Sequence, residues 1–106
     1  MYEVLPVVER DIEDALIHTA RTFGLRKLDE YVALIEEALR ALDDDSEAGK
    51  RRPDVHPEAW TIHIAKRGRN ARHLFLYRLR PDGVAVIYGF FHDTMNLSLR
   101  FRQRAR

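Results

Sequence analysis

The sequence predicts an α+β fold, a two-helix hairpin packed on a mostly antiparallel sheet, from three observations. Apolar residues recur every three or four positions through the first 42 residues, the period of helices that face a core. From Trp60 onward they alternate, or run together between turn signals, as strands do. The charge changes sign where the period changes: residues 1–49 carry 13 acidic and 5 basic side chains, residues 50–106 carry 4 acidic and 13 basic, and the whole chain is +1.

Each element has its own signal. Tyr2–Leu5 reads as a short strand closed by Pro6, which suits a first helical position because its missing N–H is not needed there. Val8, Ile12, Ala15, Leu16, Thr19 and Phe23 form one face of a helix over about 7–22. Glu9, Asp11, Glu13 and Asp14 crowd its first turns, where carboxylates favour the dipole, and Gly24 is the natural stop. Leu28, Tyr31, Val32, Ile35, Ala38, Leu39 and Leu42 make a second stripe from about 26 to 42, ended by Asp43-Asp44-Asp45. So short a link makes the two helices antiparallel.

Residues 43–58 read as a polar loop containing Lys50-Arg51-Arg52. A three-strand meander follows: Trp60–Lys66, Arg72–Leu79 and Val84–Phe91, joined by the turns Arg67-Gly68-Arg69-Asn70 and Arg80-Pro81-Asp82-Gly83. Residues 93–101 read as a tail with Leu97, Leu99 and Phe101, before Arg102, Arg104 and Arg106. The order is β-α-α-β-β-β, with the helices on one sheet face and the other face available for binding.

If Pro81-Asp82-Gly83 forms a type I turn with a glycine bulge, Arg80 lies opposite Val84. Then Phe75, Tyr77, Leu79, Ala85, Ile87, Gly89 and Phe91 share the face that meets the helices. Arg72, Leu74, Leu76, Arg78, Val86, Tyr88, Phe90 and His92 share the other. Trp60 is expected to anchor the core at the sheet edge.

The bulk composition bounds the function. A length of 106 residues fits one domain, 1–106, and 45% apolar content fits a globular chain. No apolar run approaches the ~18 residues of a membrane span. Met1-Tyr2-Glu3-Val4 does not begin a signal peptide. The absence of cysteine removes disulfides, thiolate metal sites and cysteine nucleophiles, and fits a cytoplasmic setting. His18, His56, His63, His73 and His92 show no metal-binding spacing, although His63 and His73 come near each other if their hairpin register allows. No metal and no cofactor is expected.

The chain resembles the toxins of the RelE/ParE superfamily. The resemblance rests on the hairpin Asp11–Leu42, with Ile12, Phe23-Gly24 and Tyr31, and on Leu76-Tyr77-Arg78 in the penultimate strand. The closing Val86-Ile87-Tyr88-Gly89-Phe90-Phe91-His92-Asp93-Thr94-Met95-Asn96 looks most like the ParE branch. The likeness implies a bacterial type II toxin–antitoxin module of the plasmid-stabilising kind, with the toxin held in a hetero-oligomer by a small ParD-like or other antitoxin. It also implies an N-terminal strand that joins the sheet beside the C-terminal part. ParE-like members poison DNA gyrase by binding. RelE-like members cut messenger RNA on the ribosome with basic side chains and a tyrosine or histidine. Tyr88-Gly89-Phe90 stands where such a nuclease would place arginine, which favours the non-enzymatic branch.

The candidate residues follow. A RelE-like nuclease would use Arg72 and Arg78 to hold the phosphate and Tyr88 or His92 to move a proton. Lys66, Arg67, Arg69, Arg72 and Arg100 are candidates for gripping phosphates or an acidic partner segment. Three functions stay open at this point: a ParE-like gyrase inhibitor, a ribosome-dependent endoribonuclease, and a harmless nucleic-acid-binding domain.

Overall fold

The structure, a computed structural model, describes residues 1–64, 73–92 and 95–104. The chain starts in strand β1 (Tyr2–Val4), and Pro6 takes the first position of helix α1 (Pro6–Phe23). With no side-chain cap, the first turn is closed by the backbone of Leu5, whose carbonyl accepts from Val8 and Glu9. Gly24 both ends α1 and begins α2 (Leu25–Asp44), at φ 87° and ψ 174°, a conformation open essentially to glycine alone. The hairpin therefore reverses on a single residue.

The connector is more structured than the expected loop. Helix α2 runs on to Asp44, and Lys50–Arg51 forms a two-residue edge strand, β2. Strands β3 (Trp60–Ile64), β4 (His73–Leu79) and β5 (Ala85–His92) make the predicted meander. The sheet order is β1-β5-β4-β3-β2; β1 pairs parallel with β5, and every other pairing is antiparallel. The turn before β5 has the expected geometry. Gly83 at φ 86° donates to the Arg80 carbonyl (2.9 Å), and Arg80 donates to the Val84 carbonyl (2.9 Å).

The predicted face assignment holds through Ile87 and then fails. Leu76 pairs with Gly89 but Tyr77 pairs with Ile87, so Tyr88 is an extra, unpaired residue, a β-bulge. Beyond it the faces exchange. Phe90, not Phe91, joins Phe75, Tyr77, Ala85 and Ile87 in the core under α1 and α2, with Val8, Ile35, Ala38 and Leu42. Phe91 turns to the opposite side. Trp60 is half-buried against the first core and stacks on its cross-strand partner Tyr77 (6.0 Å, 29°), but Arg51 of β2 pairs on its other side, so it does not stand at the sheet edge as expected.

The opposite sheet face is not left open. The segment read as a tail contains a helix, α3 (Leu97–Arg104), which lays Leu97 and Phe101 on Leu74, Leu76 and Phe91. Ala59 and Val55 from the connector close the rest of this second core. A spacing of four residues puts Leu97 and Phe101 on one helical face. Among the described residues no helix is long and apolar enough to cross a membrane.

Candidate functional site

The bulge organises the side chains of interest. On the α3 side of the sheet, the Arg78 guanidinium lies over the Tyr88 ring (5.3 Å) and reaches Glu58 (3.5 Å). The Tyr88 ring in turn faces Phe101 (5.9 Å), and Phe101 stacks on His56 (4.6 Å). Two of the four nuclease candidates, Arg78 and Tyr88, thus meet. Tyr88 is buried, and its ring is occupied by Arg78 and Phe101.

His92 does not join them. It pairs with His73 across the ladder, and residues directly opposite in a sheet share a face. His73 stacks flat on Phe90 (5.1 Å, 10°) and meets His92 edge-on (5.4 Å), so both imidazoles belong to the α1–α2 side. Arg78 stands five residues along β4 from His73, or about 16 Å at ~3.3 Å per residue. Arg78 and His92 therefore lie on opposite faces, too far apart to act on one phosphorus. The expected grouping is corrected, and the bulge is its physical cause. His63 and His73 are separated in the same way: His73 pairs with Ile64, which puts His63 on the other face.

Lys66, Arg67, Arg69 and Arg72 lie outside the described residues. Arg100 is exposed on α3 and lines a cleft of about 300 Å³ with His92, His73, Asp11, Asp14 and Arg104. Sequence reasoning missed Arg104. It donates from Nη1 and Nη2 to Oδ2 of Asp11 (3.2 Å each), and from Nη1 to the Tyr88 carbonyl (3.3 Å). The bulge takes Tyr88 out of the ladder, and Arg104 supplies a partner for its carbonyl. The guanidinium also lies over Phe91 (5.3 Å). One side chain thus ties α3 to α1 and to β5.

Tyr31 closes the inner wall beside this cleft, edge-on to His73 (6.0 Å) and Phe90 (6.4 Å). Its hydroxyl is buried and has no hydrogen-bond partner among the described residues, and burial pushes the phenol up to about 12. An unsatisfied buried hydroxyl destabilises a fold, so Tyr31→Phe should stabilise by about 1 kcal/mol, or ~4–8 °C in Tm. The pH dependence has a fixed sign. The folded state keeps the phenol neutral above its ordinary value of 10.0, while the unfolded chain ionises. Stability is full below pH ~10 and falls as pH rises toward ~12. Thermal melts from pH 9 to 11.5 should fall less steeply for Tyr31→Phe than for the native chain. An equal slope, or a loss of stability at neutral pH, would show that the hydroxyl has a partner.

A family model described as the ParE toxin of type II toxin-antitoxin system, parDE, matches residues 2–97. Comparison with curated proteins gave no match.

Proposed function

The chain belongs to the ParE toxin family of type II toxin–antitoxin systems, and on that premise we propose that it arrests growth by binding DNA gyrase in the cytoplasm, and that a cognate ParD-like antitoxin neutralises it. The family match over residues 2–97 carries the reading. The geometry supports binding over cleavage. Arg78 and Tyr88 pack against each other and against Glu58 and Phe101, while His92 lies with His73 on the other face. A nuclease needs its phosphate-holding and proton-moving groups within hydrogen-bond reach of one centre, and these groups do not converge.

The test is expression without an antitoxin. Growth should stop, supercoiling by purified gyrase should be inhibited by the purified chain, and a DNA-damage response should appear with transcripts intact. Codon-linked cleavage of ribosome-bound messages, with supercoiling unaffected, would replace this reading with the endoribonuclease one. Harmless expression would leave the non-toxic nucleic-acid-binding alternative. The antitoxin should restore growth through a complex that co-purifies with the toxin.

A further inference from the structure

The tip of the helical hairpin is built unlike the rest of its half of the chain. Every residue from 21 to 27 is exposed. Phe23 is 63% exposed and Leu25 72%, one on each side of the single-residue reversal at Gly24. Neither belongs to either hydrophobic core. Large apolar side chains left this open forgo the stabilisation that burial would give, and exposed apolar surface rimmed by polar residues is a feature of interaction sites.

The charge is as unusual as the apolar exposure. The first 49 residues are strongly acidic, yet no carboxylate occurs between Asp14 and Asp29, while Arg21, Arg26 and Lys27 fall in that gap. Arg21 has a local reason, because it lies in the last turn of α1, where a cation favours the dipole. Arg26 and Lys27 have the opposite placement. They occupy the first turn of α2, which holds no acidic residue and where positive charge opposes the dipole. Lys27 is partly compensated by Glu30 (3.3 Å). Helix formation does not favour these cations.

We propose that this tip, with Phe23 and Leu25 at its centre and Arg21, Arg26 and Lys27 at its rim, is the knob by which the toxin docks into an acidic protein surface bearing an apolar pocket. An apolar centre with a charged rim is the anatomy of a protein–protein contact. A nucleic-acid contact would instead put the cations at the centre, against phosphates. The proposal rests on the toxin reading above, since the docked protein is the toxin's target.

Two double variants of the full chain test it: Phe23→Ser with Leu25→Ser, and Arg21→Glu with Arg26→Glu. The altered side chains are exposed, so circular dichroism should stay native; Arg21→Glu opposes the α1 dipole while Arg26→Glu favours that of α2, so Tm should move by only a few degrees. The apolar variant should inhibit gyrase supercoiling about 100-fold more weakly and lose growth arrest, and the charge variant should weaken inhibition at least ~10-fold. If the native chain inhibits gyrase and the apolar variant inhibits equally well, the docking proposal is overturned and the gyrase reading stands. An apolar variant at full strength beside a disabled charge variant would point to a phosphate-bearing partner, and would likewise overturn it. If the native chain spares gyrase yet arrests growth, and the apolar variant does not, the gyrase reading falls and the docking proposal stands. A native chain harmless on expression overturns both.

Discussion

Replacing Gly89 with alanine is expected to lower the melting temperature by more than about 10 °C. A Cβ at this position would overlap Cε2 and Cζ of the Phe91 ring, well inside contact distance. The ring has nowhere convenient to go. Phe91 is 4% exposed and packs in the second core with Leu74, Leu76, Leu97 and Phe101, beneath the Arg104 guanidinium. Overpacking a filled core costs about 1–3 kcal/mol, and expelling a phenylalanine costs more. The effect belongs to this pair, so it has a specific control. Phe91→Leu in the Gly89→Ala background should recover part of the loss, although Phe91→Leu alone destabilises. Purely additive losses in that double-mutant cycle would show that the clash is not the cause.

The same region marks where the sequence stopped being legible. The helical hairpin was readable because one face of each helix is apolar and the other is charged. The turn before β5 was readable because Pro81, Asp82 and Gly83 each suit one turn position. Strand β5 was not. It is buried on both faces from Ala85 to Phe91, so its sequence is a continuous apolar run without alternation. Without alternation nothing marks a bulge, and the register carried outward from the turn put every residue after Tyr88 on the wrong face. His92 was grouped with Arg78 and Tyr88 for that reason alone. Helix α3 was hidden differently. Leu97 and Phe101 have helical spacing, but four arginines after Leu99 gave the segment the look of a solvated tail. The Arg104–Asp11 pair joins residues 93 positions apart, and no local pattern reports such a contact.

The opposed charges of the two halves acquire an internal meaning from these contacts. Arg104 of the basic half meets Asp11 of the acidic half, and Arg80 meets Glu3 (2.9 Å) where the β4–β5 turn passes β1. The Arg80–Glu3 pair is well exposed and stabilises little. Arg104–Asp11 is more sheltered and is supplemented by the Tyr88 carbonyl, so it helps fix the position of α3. Part of the split therefore holds the chain's two halves together. At the hairpin tip Arg21 favours the α1 dipole and Lys27 meets Glu30 (3.3 Å). Arg26 instead stands exposed in the first turn of α2, where positive charge opposes the dipole. The docking proposal rests on that placement together with the exposed Phe23 and Leu25.

Phe101→Ala should have the other large effect, on stability and on α3 together. Phe101 is 2% exposed and fills the space between His56, Tyr88 and the second core. Its truncation should cost about 3–5 kcal/mol, a large part of the ~5–15 kcal/mol available to a domain. An eight-residue helix has almost no stability of its own, so α3 exists because Leu97 and Phe101 bury. Amide hydrogen exchange should then accelerate across Leu97–Arg104 ahead of β4 and β5, which keep the first core. Arg104→Ala is the weaker companion. It removes the tie to Asp11 and Tyr88 but leaves Phe101 in place, and should lower stability by about 1–3 kcal/mol without melting α3. Protection of α3 that survives Phe101→Ala but is lost in Arg104→Ala would reverse this order, and would make the arginine, rather than the ring, the anchor of the helix.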